Sequence, residues 1–257
     1  ILGLPAGLYF SNLWGWHAPF FMIVGVSSVV GVIIWAYLKP VNAHLKLRTE
    51  STALSHLWIT LKTPRYLLAF ITTGLLSTGG FMLMPFGSAF TVHNLGIAIG
   101  SLPLLYLITG VFSIMTGPLI GRASDRWGKF NVFIFGAILS IVMVLIYTNM
   151  GESPLLLVVL VNVFLFIGIF SRMIPAQALM SAIPTPAKRG SFMAVNSSLQ
   201  QFAGGIASVA AGLIVVETSG GFLEHFDTLG YIIVGTVVVT IALMSIIHRM
   251  VPEHTQV

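Results

Sequence analysis

Uncharged apolar runs long enough to cross a bilayer recur along this chain, and every Lys and Arg falls in alternate gaps between them. A spanning helix needs roughly 20 mostly apolar residues. Such runs cover residues 19–38, 66–92, 102–121, 130–149, 154–171, 191–216 and 229–247, and residues 1–13 read as the tail of one more. The second connection carries Lys39, Lys46, Arg48, Lys62 and Arg65. The fourth carries Arg122, Arg126 and Lys129, the sixth region Arg172, Lys188 and Arg189, and Arg249 follows the last run. The odd connections hold no basic residue but carry Glu152, Glu217, Glu224 and Asp227. Basic residues stay on the cytoplasmic side of a membrane, so the even connections and the C-terminus are expected inside. One span missed or invented would break the alternation.

Composition requires the same solvent. The 257 residues are 56% hydrophobic and 7% charged, with a mean hydropathy of +0.98, whereas a soluble domain carries roughly 25% charged residues. The expected fold class is all-α, a polytopic membrane bundle. The net charge of +5 then reports topology and not nucleic-acid binding. There is no cysteine, hence no disulfide or thiolate site. The seven histidines are scattered without a pair at ligand spacing, so no metal is expected. No nucleophile–base pair or phosphate loop is visible, so neither an enzyme nor a cofactor is expected.

The chain opens at Ile1 inside an apolar segment with no basic lead or cleavage site, and is expected to be a fragment of a longer protein. Residues 1–38 read as the end of one half, with a partial and a full span. Residues 39–65 read as a basic cytoplasmic linker with helical content at 51–58. Residues 66–249 form a block of six spans, and 250–257 a cytoplasmic tail.

Within the spans, chemistry is sparse. Small residues recur at four-residue spacing at Ser113, Gly117 and Gly121, and again at Gly204, Ser208 and Gly212, a pattern that lets helices approach closely in lipid. Run 66–92 presents Ala69, Thr73, Ser77, Gly80 and Met84 on one face, suited to a neighbouring helix or a water-filled path, and Pro85 is expected to kink it. Asn162, Asn196, Gln200 and Gln201 pose the same choice between interhelical bonding and ligand contact. Arg172 is the one charge near a span interior. It is a functional candidate, but the run from 154 is nearly a full crossing by then, so snorkelling to the basic face is the simpler expectation. The cavity-lining candidates are Thr73, Ser77, Met84, Asn162, Arg172, Asn196 and Gln200. No acidic residue lies within any span.

At Gly121-Arg-Ala-Ser-Asp125-Arg126-Trp-Gly128-Lys129 the chain resembles the signature loop of major facilitator superfamily transporters, G-x-x-x-D-R-x-G-R-[RK]. That loop joins helices two and three and, more loosely, eight and nine. Gly121, Asp125, Arg126 and Gly128 match, and Lys129 fills the next basic position. The opening Gly3-Leu-Pro5-Ala-Gly7 resembles the end of the helix-five motif of the family's antiporters, and Trp14-Gly15-Trp16 the turn after it. The stretch from Pro184 to Gly190 resembles the loop between helices ten and eleven. The resemblance covers the whole chain, from late helix five to helix twelve, and is nearest to bacterial drug or sugar efflux proteins of the proton antiporter type.

The resemblance implies a secondary transporter of the bacterial inner membrane. It would be monomeric and work by alternating access, with the six-span block rocking against the missing amino-terminal half about a midplane site. Its substrate would be a small organic molecule, exported in exchange for protons. Metabolite uptake and a non-transporting sensor on the same scaffold are the alternatives. In the signature loop, Gly121 and Gly128 are expected to permit a tight turn and close helix approach. Asp125 is expected to pair with an Arg or a helix N-terminus, while Arg126 and Lys129 hold the loop at the anionic surface. The implied role is a contact that forms in one transport state and breaks in the other. Asp125-Arg126-Trp127 is also similar to the D-R-Y triplet of seven-helix receptors, but it follows the fourth span here, not the third.

Overall fold

A computed structural model describes residues 3–38, 60–185 and 188–251. The linker 39–59, including its expected helical content, lies outside the described residues, as do 186–187 and 252–257. Nine helices follow in order among the described residues: α1 (Gly3–Trp14), α2 (Ala18–Tyr37), α3 (Pro64–Leu83), α4 (Gly87–His93), α5 (Leu102–Trp127), α6 (Lys129–Thr148), α7 (Leu155–Ser181), α8 (Arg189–Ile214) and α9 (Phe226–Met250). Proline in the first turn starts α2, α3 and α5, where its missing N–H costs nothing and its fixed φ suits the helix.

The all-α expectation holds, and six stretches are long and apolar enough to cross a membrane: Ala18–Tyr37, Pro64–His93, Ile99–Trp127, Lys129–Thr148, Leu155–Ser181 and Phe226–Met250. The seventh expected span, α8, has the length at 26 residues but is not among these six. Its sequence dilutes apolar residues with Asn196, Gln200, Gln201 and many Gly, Ala and Ser.

Close packing is concentrated where glycines allow it. Helices α6 and α7 form the most extensive contact in the bundle. A Cβ on Gly136 would lie 2.6 Å from the backbone of Ser171 and Arg172, and one on Gly168 would lie 2.9 Å from Ser140. This seam was not anticipated, although Gly136 and Ser140 sit four residues apart. The expected stripe of Ser113, Gly117 and Gly121 is not a packing seam, because a Cβ on either glycine meets nothing within 4 Å. The stripe on α8 does pack: a Cβ on Gly204 would collide with the Phe81 ring at 2.6 Å, and Ser208 bonds α3, whereas Gly212 faces open space.

Pro85 breaks run 66–92 outright, separating α3 from α4 at Met84–Phe86. Proline supplies no N–H to the carbonyl four residues earlier, which is that of Phe81. Ser208 Oγ on α8 donates to this carbonyl at 2.9 Å. Ser208→Ala should therefore lower stability by about 1 kcal/mol with the fold retained, which thermal unfolding in detergent would register. An unchanged melting temperature would mean that the carbonyl is satisfied otherwise.

The two ends of the bundle differ in charge. At one end Arg65 Nη2 donates to the Met250 carbonyl at 2.9 Å and Phe130 stacks on His248, which joins the starts of α3 and α6 to the end of α9. At the other end Ser153 N–H donates to the Leu95 carbonyl and Tyr231 to Asn149. A two-stranded hairpin also sits there, with Val216–Glu217 (β1) antiparallel to Leu223–Glu224 (β2). Asn94 joins it as a false third strand: Nδ2 donates to the Leu223 carbonyl and Oδ1 accepts from the Leu223 N–H, each at 2.9 Å. The acidic Glu217 and Glu224 lie in the hairpin, and the basic Arg65 and Arg249 at the opposite end.

Two apolar clusters fill the interior. One includes Met82, Leu83, Phe90, Ala137, Leu165, Ile233 and Val237. The other includes Tyr66, Phe70, Leu76, Phe133, Ala176, Met180, Phe192 and Met244. Five helices, α3, α6, α7, α8 and α9, cross from one cluster to the other, and at the crossing each carries small or polar residues.

Candidate functional site

That crossing is a polar waist. Between the two clusters α3 contributes Ser77 and Gly79, α6 contributes Gly136, α7 contributes Gly168, Ser171 and Arg172, and α9 contributes Thr240. Ser77, Ser171, Arg172 and Thr240 are all buried. Ser77 Oγ donates to the Gly74 carbonyl and Thr240 to that of Thr236, so these hydroxyls are satisfied within their own helices.

Arg172 does not snorkel. Helix α7 does not end near residue 171 as expected but continues to Ser181, through Pro175. At a rise of 1.5 Å per residue, Arg172 sits about 6 Å from the midpoint of a helix about 40 Å long. Its side chain is 3% exposed and reaches toward α3, where Nη2 donates to the Leu76 carbonyl at 3.4 Å. Nε has no hydrogen-bond partner among the described residues. Gly79 lies beside the guanidinium, where a Cβ would stand at contact distance from Nη2, 3.9 Å, and would press on Ile233 at 2.9 Å.

The other cavity-lining candidates are dispersed. Thr73 is buried, its hydroxyl donating across to Met180 Sδ at 2.7 Å, so this face of α3 meets a neighbouring helix. Asn162 is buried and its amide donates to its own helix at the Val158 carbonyl. Asn196 is 1% exposed, and its Oδ1 has no partner among the described residues. Gln200 is half-buried. Met84 stands out of the bundle at 74% exposure, although its backbone is still helical and its N–H donates to the Gly80 carbonyl. On α3 it is Gly74 and Thr78 that line a groove of about 400 Å³ with Ala203 and Ala207 of α8, and its walls are almost wholly apolar.

The signature segment is not a loop. Helix α5 runs through Gly121, Asp125 and Arg126 to Trp127, and α6 begins at Lys129. Gly121 is helical with open space around it, so it makes neither the turn nor a close approach; the reason is that helical pairing extends two turns past it. Gly128 alone is the joint, at φ +88°, a conformation that costs a side-chain-bearing residue roughly 1–2 kcal/mol. Asn131 Nδ2 donates to the Trp127 carbonyl at 2.9 Å and so caps α5. Lys129 is buried while Asp125 is exposed, and Lys129 Nζ lies 3.8 Å from Asp125 Oδ1 across the joint. The acid thus pairs with Lys129, in place of the expected Arg or helix N-terminus.

Gly3, Pro5 and Gly7 lie in α1, which packs on α5 and α2. A Cβ on Gly7 would touch Pro19 of α2 at 3.9 Å. Gly15, at φ +81°, forms the turn into α2 between Trp14 and Trp16.

The sequence model of the Major Facilitator Superfamily matches residues 1–208 and 69–256. The chain belongs to this superfamily. Among its relatives are the MFS-type transporter YceJ of Bacillus subtilis, 26% identical over 88% of this chain and 55% of YceJ, and the lincomycin resistance protein LmrB of Listeria innocua, 26% identical over 85% of this chain and 44% of LmrB. The multidrug resistance protein MdtG of Klebsiella pneumoniae is 24% identical over 95% of this chain and 59% of MdtG. The chain spans about half the length of the curated relatives it matches. It is thus a multi-pass membrane protein of a transporter family.

Proposed function

We propose that the chain is part of a secondary transporter that exports a small, drug-like organic molecule in exchange for protons. Residues 66–249 act as one moving half, residues 1–38 belong to the other, and residues 39–65 link them. Substrate passes by alternating access about a site near the midplane. The protein is a monomer of a bacterial inner membrane, with no enzymatic activity. The basic end of the bundle and the tail 250–257 face the cytoplasm, by the charge alternation. Efflux is favoured over uptake because LmrB and MdtG are named for drug resistance.

The observation that carries this reading is the joint at Gly128. Asp125 and Lys129 form an ion pair across the one point where α5 and α6 can swing. With its acid exposed to solvent the pair is largely screened and contributes little to stability, which suits a contact made and broken in each cycle. Asp125→Asn should leave melting temperature and membrane insertion intact and slow transport by the full-length protein in proteoliposomes. Wild-type flux in that variant would remove the gating role; no flux with the unaltered protein would favour a non-transporting sensor.

A further inference from the structure

We propose that Arg172 is the anion-recognition residue of the transport path, and that the cargo carries a carboxylate or a comparable oxyanion which it pairs. The inference rests on the transporter reading above and adds a substrate class to it. A guanidinium presents five N–H donors in a fixed fork, yet here it makes one 3.4 Å bond to a backbone carbonyl and leaves Nε without a partner among the described residues. The acids among the described residues are Asp125, Glu152, Glu217, Glu224 and Asp227, all at helix ends or in connections and none in the waist. An unpaired cation at this depth is expensive and marks a functional site by default. A purely structural role would be met better by an uncharged side chain, since apolar replacements of buried charges are often neutral or stabilising.

The surroundings suit a visiting anion. Gly79 presents no side chain to the fork, its Cβ position lying 3.9 Å from Nη2, and Gly136 lies against the Arg172 backbone. Ser140, one turn from Gly136, has a buried hydroxyl without a partner among the described residues. Planar bidentate pairing selects carboxylates over halide-like ions and distinguishes Arg from Lys. Helices α3 and α7 meet here through the Arg172 side chain on the Leu76 carbonyl and the Thr73 hydroxyl on Met180 Sδ.

The test uses full-length protein in liposomes, with the anionic dye carboxyfluorescein and the cationic dye ethidium as probes. In Arg172→Gln the ratio of carboxyfluorescein to ethidium flux should fall at least about thirtyfold, and in Arg172→Lys by less. The melting temperature of the Gln variant should not drop, because the change removes an unpaired buried charge. The proposal is overturned if both fluxes fall in proportion, if the ratio is unchanged, or if the unaltered protein moves ethidium but not carboxyfluorescein. In these three cases the transporter reading survives. Absence of both fluxes in the unaltered protein overturns both readings.

Discussion

Gly136→Leu is expected to prevent assembly of the bundle, and Gly136→Ala to lower stability by about 1–3 kcal/mol or more. The reason is local. At 2.6 Å from the Ser171 and Arg172 backbone an added Cβ meets main chain, which cannot rotate away as a side chain does. Separating α6 from α7 would also disturb the seam one turn on, where Gly168 receives Ser140. Lipid supplies no hydrophobic pull to bring the helices back, so association depends on this close fit. Monodisperse yield in detergent and the melting temperature are the measurements. Gly121→Ala serves as the contrast, since its Cβ enters open space and helix propensity improves by up to about 1 kcal/mol. Equal losses at both positions would contradict the seam.

The second large effect is expected at the acidic end of the bundle, away from the waist. Asn94 satisfies both backbone groups of Leu223 in a buried position. Asn94→Leu strands that N–H and carbonyl together, at a cost of about 1–3 kcal/mol for each group left unsatisfied. Asn94→Asp, when ionised, can still accept from the N–H but cannot donate to the carbonyl, so it should lie between wild type and leucine. Amide hydrogen exchange of residues 216–224 reads the effect directly. Protection unaltered in the leucine variant would mean that the hairpin stands without this clamp.

Charge placement made the span plan legible from sequence, because a bilayer leaves few ways to arrange a chain whose basic residues all fall in alternate gaps. Helix ends were less legible. A run was expected to stop at its first charge, yet α5 continues through Arg122 and Asp125, and α7 through Arg172. The cause is that helical pairing satisfies the backbone on either side of the lipid boundary. Small-residue spacing found Gly204 and Ser208 but also pointed to Gly117 and Gly121, where an added Cβ would meet no neighbour. A spacing says that close approach is possible; a partner decides whether it happens. The waist was invisible for the same reason, since it assembles from one to three residues on each of four helices and has no local motif. The hairpin was missed because its pairing depends on Asn94, about 130 residues away.

The break at Pro85 has a mechanical meaning. In an unbroken helix a bend must lengthen or forfeit ladder bonds. Here the bond that would oppose bending is absent by chemistry, and the carbonyl that lost it is held by a hydroxyl from α8. Across the break the Phe86 N–H donates to the Leu83 carbonyl at 3.2 Å, a single turn bond from α3 toward its short cap α4, while Asn94, just past that cap, is fastened to the hairpin. The break thus divides the run into a cap bolted to one rim and a rod that carries Leu76, the residue that Arg172 grips.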